Sequence, residues 1–339
     1  MSFTLTQYAK LSWLCCAFFM VIGAEAEDAT LMFKVYRLDS AIADALHGRL
    51  VSGDFEAAKD AMSKMPAIEN QGKAALEAEL SMMVKEGVVS KAGSTFEKVE
   101  VNRDFRDAGE VGEVVDGLEI ESDIVIRKSG AVSANVAGTF ACNAGSKIRL
   151  TEFYTQMEFP RDVPVLICRW QEKGENYICL GTASHNEAVD EDRDGYGNVY
   201  AGFVWVSNDS SVVSSATIAT KRGQHSKIQV QEPFLYEPSE GAYMASGFGN
   251  MVEFRSDRAV TDALALSLKA DHLEELGGTE KHGNGGRVAK VAKHSVEEDV
   301  TVGPGEKKRL SAEYSTLAGP SQVEGSINLD VQWVFIPVP

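Results

Sequence analysis

The 339-residue chain is 44% hydrophobic and 24% charged, with a formal net charge of −17. That is a globular composition, long enough for about two domains. No lysine and arginine stripe offsets the negative charge, which excludes a nucleic-acid binder and disfavours an anionic membrane surface.

In chain order, Lys10 precedes an apolar run from Leu11 to Ile22, and Ala24-Glu25-Ala26 puts small residues where a signal peptidase reads them. Residues 1–26 are therefore expected to be a secretory signal peptide. The alternative, a membrane anchor, needs about 20 apolar residues, more than this run supplies. Trp13-Leu14 before Cys15 lacks the small residues of a lipobox. The protein is expected to be exported: periplasmic, outer-membrane-associated or secreted. Loss of Lys10 and Glu25 leaves the charge at −17.

Residues 27–87 read as a helical N-terminal segment behind a short strand-like run, ATLMFKVYRL. Ser40 is placed to cap AIADALHGRLV, with Ile42, Ala45 and Leu46 on one face, and SGDFEAAKDAMSKM restarts after Gly53. NQGKAALEAELSMMVKEG is the strongest helical pattern. Ala75, Leu76, Leu80, Met83 and Val84 form its stripe, and Gly87 sits where a helix-ending glycine belongs.

From Val88 the period changes to two, which predicts strands and turns. The chain also reads as repeating. Residues 88–101 align without gaps on 217–230, pairing Val89 with Ile218, Lys98 with Lys227 and Val99 with Ile228. Residues 118–135 align with 252–269; Glu119/Glu253, Ser122/Ser256, Asp123/Asp257 and Ser133/Ser267 are identical. Asp162-Val163 matches Asp299-Val300, each ahead of a Gly-Glu pair, Gly174-Glu175 and Gly305-Glu306. The offset grows along the chain, as insertions in loops would make it, because a slip within a strand flips its inward face. The expected fold is α+β, mainly β: a small N-terminal helical segment, then two tandem, mostly antiparallel modules. β module 1 spans 88–184, an acidic junction with a strand spans 185–209, and β module 2 spans 210–339. The last strand, GSINLDVQWVFIPVP, alternates Ile327, Leu329, Val331, Trp333 and Phe335 with polar residues and ends in prolines that blunt it.

The junction holds VDEDRDGYGN. Asp190, Asp192 and Asp194 fill the first three ligand positions of a calcium loop; Gly195 makes the turn, Tyr196 offers a carbonyl, and Asn198 is a direct or water-mediated ligand. Position twelve is Ala201 rather than glutamate, so such a site would be of the weak extracellular kind, with Kd of about 10⁻⁴–10⁻³ M. The alternative is an acidic, solvated linker. In VLICRWQEKGENYICL a two-residue turn at Lys173-Gly174 sets Cys168 opposite Cys179. Two readings stay open there: a cross-strand disulfide, suited to an oxidising compartment, and an unbridged hydrogen-bonded pair. The histidines His47, His185, His225, His272, His282 and His294 show no zinc spacing. No nucleophile elbow or phosphate-binding loop occurs.

Two stretches carry a family resemblance. LEAELSMMVKEGVVSKAGSTFEKVEV resembles the start of the secretin C-terminal homology domain, where a helix feeds a strand, a glycine turn and an I-x-V strand. TKRGQHSKIQVQEPFLYEP resembles it too, with Gly223-Gln224 in the turn. LEIESDIV, GAVSAN and YTQMEFPRDVPVLICRWQEKGENYICLG are similar to its later strands and closing hairpin. The likeness covers most of 74–182 and 210–312, without long gate or membrane-crossing hairpins. It implies a periplasmic or outer-membrane-associated β domain used as a scaffold.

The expected function is that of an exported, non-enzymatic structural or interaction protein of the cell envelope. It would be assembly- or secretion-associated and act on a protein partner, or on itself, through β edges. The alternative is a secreted β-sandwich enzyme, carbohydrate- or peptide-active, that uses acidic residues.

Overall fold

The computed structural model describes residues 28–99, 114–144, 147–172, 174–185, 197–239, 242–257, 263–281, 287–316 and 327–338. The expected signal peptide and Asp190, Asp192, Asp194 and Tyr196 lie outside the described residues. The fold is α+β and dominated by strands, with a short helical region near the N-terminus and two large antiparallel sheets.

The chain starts in sheet I with β1 (Asp28–Leu38) and forms helices α1 (Ser40–Leu50), α2 (Phe55–Ser63) and α3 (Met65–Asn70). It returns to sheet I as β2 (Ala74–Lys85). It then crosses to sheet II for a meander of β3 (Ser90–Val99), β4 (Val114–Ile126), β5 (Val132–Ala144) and β6 (Lys147–Phe159). Sheet I takes the next four strands, β7 (Val165–Glu172), β8 (Glu175–His185), β9 (Gly197–Ser207) and β10 (Val212–Thr220). A second meander follows in sheet II: β11 (His225–Ser239), β12 (Ala242–Ser256), β13 (Leu264–Lys281) and β14 (Arg287–Val302). Two short strands, β15 (Lys308–Ser311) in sheet I and β16 (Glu313–Thr316) in sheet II, precede β17 (Ile327–Pro337) in sheet I.

Sheet I has the order β15-β17-β9-β10-β7-β8-β1-β2, and sheet II β16-β14-β13-β12-β11-β6-β5-β4-β3. The β7–β10 and β6–β11 pairings join residues of the two expected modules within each sheet, so 88–184 and 210–339 are not separated by a break in either one. The first meander runs from an edge to the centre of sheet II, and the second from the centre to the other edge. Of the sequence matches, 118–135 and 252–269 fall on like pieces, the β4–β5 and β12–β13 hairpins. Leu118, Ile120 and Ser122 are buried on one, Val252, Phe254 and Ser256 on the other. The 88–101 and 217–230 match does not. Residues 90–99 are one strand through Gly93, whereas 217–230 turns at Gly223 between β10 and β11.

The helix expected over residues 74–87 is strand β2. Its residues are good helix formers, but they also alternate: Ala78, Leu80, Met82 and Val84 are buried, while Glu79, Ser81, Met83 and Lys85 are exposed. Pairing with β1 along the whole strand satisfies its backbone and buries one face, and this outweighs propensity. The helical stripe would have buried Leu76 and Met83, which are 40% and 73% exposed. The helical part of 27–87 is thus confined to α1–α3. Ser40 opens α1 rather than capping it; Asp39 holds the cap position, and Ser40 Oγ accepts from Asn176 Nδ2 at 3.0 Å.

The inward faces of both sheets form one apolar core. Leu31, Phe33 and Val35 of β1 point into it, whereas Lys34 and Tyr36 point outward, beneath the helices. Phe203 of sheet I meets Phe254 of sheet II with ring centres 5.2 Å apart, and Phe140 meets Trp170 at 6.0 Å. Trp333 Nε1 donates to Val302 O at 2.8 Å, closing the far side. Burying a side chain of this size contributes about 1.5–3 kcal/mol, so the mutual cover of the two faces holds the sandwich together. Arg169, paired with Asp44 at 2.6 Å, ties α1 onto β7.

Candidate functional site

Two sheets that stay open have four edges, and those edges are unequal. On one side of the sandwich stand β15 and β16, four residues each. On the other stand β2 and β3, with 12 and 10 residues. Short edge strands are a common protection against unwanted pairing, and among the described residues only the β15–β16 side has them. The long edges are joined by a tight turn at Gly87, whose φ of +72° lies in the left-handed region that glycine adopts freely. Gly87 N donates to Ile124 O at 3.3 Å, and the Glu86 carboxylate accepts from Ile126 N at 3.2 Å, which pins the turn onto β4.

Apolar side chains gather on the elements of this corner. Met83 is 73% exposed, Val89 63%, Val88 48% and Val125 47%. By sequence the segment 74–99 carries Glu77, Glu79, Glu86 and Glu97 against Lys85, Lys91 and Lys98, a net charge of −1 in a chain of charge −17. Several of these are already paired within the sheets: Glu79 with Lys34 at 3.0 Å, Glu77 with Arg37 at 2.7 Å, and Lys91 with Glu119. The edge therefore offers backbone hydrogen-bonding groups and apolar surface with little net charge. The usable signal was the apolar run Met82-Met83-Val84 and Val88-Val89 flanking a turn glycine.

The site residues expected from sequence fall elsewhere. Asn198 is 1% exposed and is engaged at both ends of its amide: it accepts from Glu158 N and donates to Glu158 O, each at 2.8 Å. Its side chain is thus a structural clasp between β9 and β6. Cys168 and Cys179 do stand directly opposite across the β7–β8 hairpin, beside a bulge between Leu166 and Cys168. Both thiols are free and buried, so of the two readings left open the structure has the unbridged pair. Burial pushes the Cys168 thiol well up, and its contact with Cys179 adds to the shift.

Two deeply buried carboxylates are held by bases. Glu158, with no exposed side-chain surface, meets Lys221 at 2.6 Å and Arg127 at 3.5 Å. Asp330, 1% exposed, takes two hydrogen bonds from Arg309 at 2.7 and 2.9 Å and meets Lys307 at 2.6 Å. The Arg309 guanidinium holds the Asp330 carboxyl below its ordinary range. Both carboxylates are thus held in ion pairs within the fold. Among the described residues, no group of three or more His, Cys, Asp or Glu side chains stands ready to hold a metal ion, and no helix is long and apolar enough to cross a membrane.

No family model, curated protein or solved structure matches the chain.

Proposed function

We propose that this chain is an exported, non-enzymatic interaction protein that self-associates by strand addition along the β2–β3 side. The observation that carries the reading is the asymmetry of the edges: one pair blunted to four residues each, the other long and lined by exposed Met83, Val88, Val89 and Val125. A second copy is the partner of choice because the general repulsion of a −17 chain is weak at this edge, where acids and bases nearly cancel. Main-chain hydrogen bonds to the added strand supply affinity, and the apolar corner supplies register. Export rests on the apolar leader before Ala26.

Sedimentation velocity over a hundredfold concentration range tests the proposal. The wild type is expected to shift from monomer to larger species, and the double variant Met83→Asp/Val89→Asp to stay monomeric with an unchanged melting temperature. A wild type that stays monomeric throughout, or a variant that associates equally well, refutes it.

A further inference from the structure

A row of polar rings crosses the interior away from that edge. Strand register pairs Asn250 with His272, His272 with His294, and His294 with Tyr314, across β12, β13, β14 and β16. The ring centres of His272 and His294 are 6.2 Å apart and those of His294 and Tyr314 5.2 Å, while Trp205 of sheet I stands 5.8 Å from His272. His272 is 6% exposed and His294 1%.

Asn250 Oδ1 accepts from Ser214 Oγ at 2.8 Å and lies 2.6 Å from His272 Nδ1. An amide oxygen only accepts, so Nδ1 carries the proton and Nε2 presents a lone pair. That Nε2 has no hydrogen-bond partner, and neither ring nitrogen of His294 nor the Tyr314 hydroxyl has one. A buried polar group left unsatisfied costs about 1–3 kcal/mol, so four in one row call for a ligand. Glu274, two residues beyond His272 on β13, brings its Oε1 to 3.6 Å from His294 Nε2, and its side chain is 43% exposed.

We infer that His272, His294 and Glu274 bind a divalent first-row transition-metal ion. His272 Nε2 and a ring nitrogen of His294 are the buried ligands, and Glu274 swings in from the solvent side as the third. Two imidazoles and a carboxylate suit zinc and its neighbours rather than calcium. Asn250 acts behind the ligands, fixing the tautomer of His272 as such partners do in metal sites. The three groups do not yet stand at ligand spacing. Imidazoles about 2.0–2.1 Å from one tetrahedral ion have ring centres about 5 Å apart, so binding draws the two strands' rings together by about 1 Å. The partly exposed Glu274 and Tyr314 leave the ion a route in.

The test is calorimetry of the untagged full-length protein with Zn²⁺, with Co²⁺ absorption as the report on ligand type. The expected result is one ion per chain, a cobalt spectrum of nitrogen-and-oxygen ligation, and a raised melting temperature with zinc. His294→Gln should abolish binding, Glu274→Gln should weaken it at least tenfold, and His225→Ala on the outer face should leave it unchanged. Because His294→Gln disturbs the core, Glu274→Gln at a half-exposed position keeps the test open if the former fails to fold. No uptake by the wild type, or uptake unaltered by Glu274→Gln, overturns the assignment.

Discussion

Acid titration is the sharpest probe of the buried row. Burial lowers His272 from 6.5 to about 4, with the His294 charge adding to the effect and Glu274 opposing it. A base whose folded pKa is depressed takes its proton first in the unfolded chain. Stability present above pH 6.5 is therefore lost as pH falls toward 4 and is fully lost below that. The whole shift corresponds to roughly 3 kcal/mol, and the span from pH 7 to pH 5 to about 2 kcal/mol of it. His47, also lowered to about 4 by burial and by Arg169, loses stability over the same window. Carboxylates with lowered pKa, Asp330 and Glu274 among them, lose theirs only below the ordinary carboxylate range, so pH 7 to 5 isolates the histidines. The assay is urea unfolding of wild type and His272→Gln at pH 7 and pH 5 in EDTA, which keeps metal out of the comparison. The wild type should lose about 2 kcal/mol more than the variant over that interval. Equal losses in both proteins would refute the buried, neutral state of His272.

Further expectations concern the core. Gly138 lies opposite Phe153, and a Cβ on it would stand 2.1 Å from the ring. Gly138→Ala should therefore destabilise the protein by roughly 1–3 kcal/mol in denaturant unfolding, because the buried ring has to leave its place; a neutral substitution would show that the ring is free to move. Free thiols at Cys168 and Cys179 predict that a thiol reagent labels half-buried Cys142 in the native protein, and the other two only after unfolding without reductant. A mass two daltons short, with Cys168 and Cys179 still unlabelled after unfolding, would reinstate the disulfide.

What the sequence disclosed was local. The alternation of the last strand predicted β17, where Ile327, Leu329, Val331 and Trp333 are buried and Gln332 is exposed. The Lys173-Gly174 turn predicted the opposition of Cys168 and Cys179, since a two-residue loop dictates register. Asp330 departs from the expected exposure: it alternates onto the outer face with Asn328 and Gln332, yet is covered there by Arg309 and Lys307 from a neighbouring strand and loop, partners that alternation does not announce. Pairings between distant segments were invisible for the same reason. Nothing in β6 or β7 names β11 or β10 as its neighbour, so the run of strands through each sheet was not legible. The 74–85 stretch fits both periods, and its true period was decided by β1. The histidine row had a signal that was not used. His272 and His294 flank the Gly-rich stretch 282–286, which suggests a hairpin, but their exact opposition depends on a register shift between Glu275 and Thr279 that the sequence does not announce.

Amide hydrogen exchange of β2 and β3 at low and high protein concentration bears most directly on how the molecule works. Association along the long edges predicts that amides of residues 74–85 and 90–99 become protected as concentration rises, while those of the short strands β15 and β16 keep their rates. Concentration-independent exchange at β2 and β3, or new protection confined to β15 and β16, would contradict it.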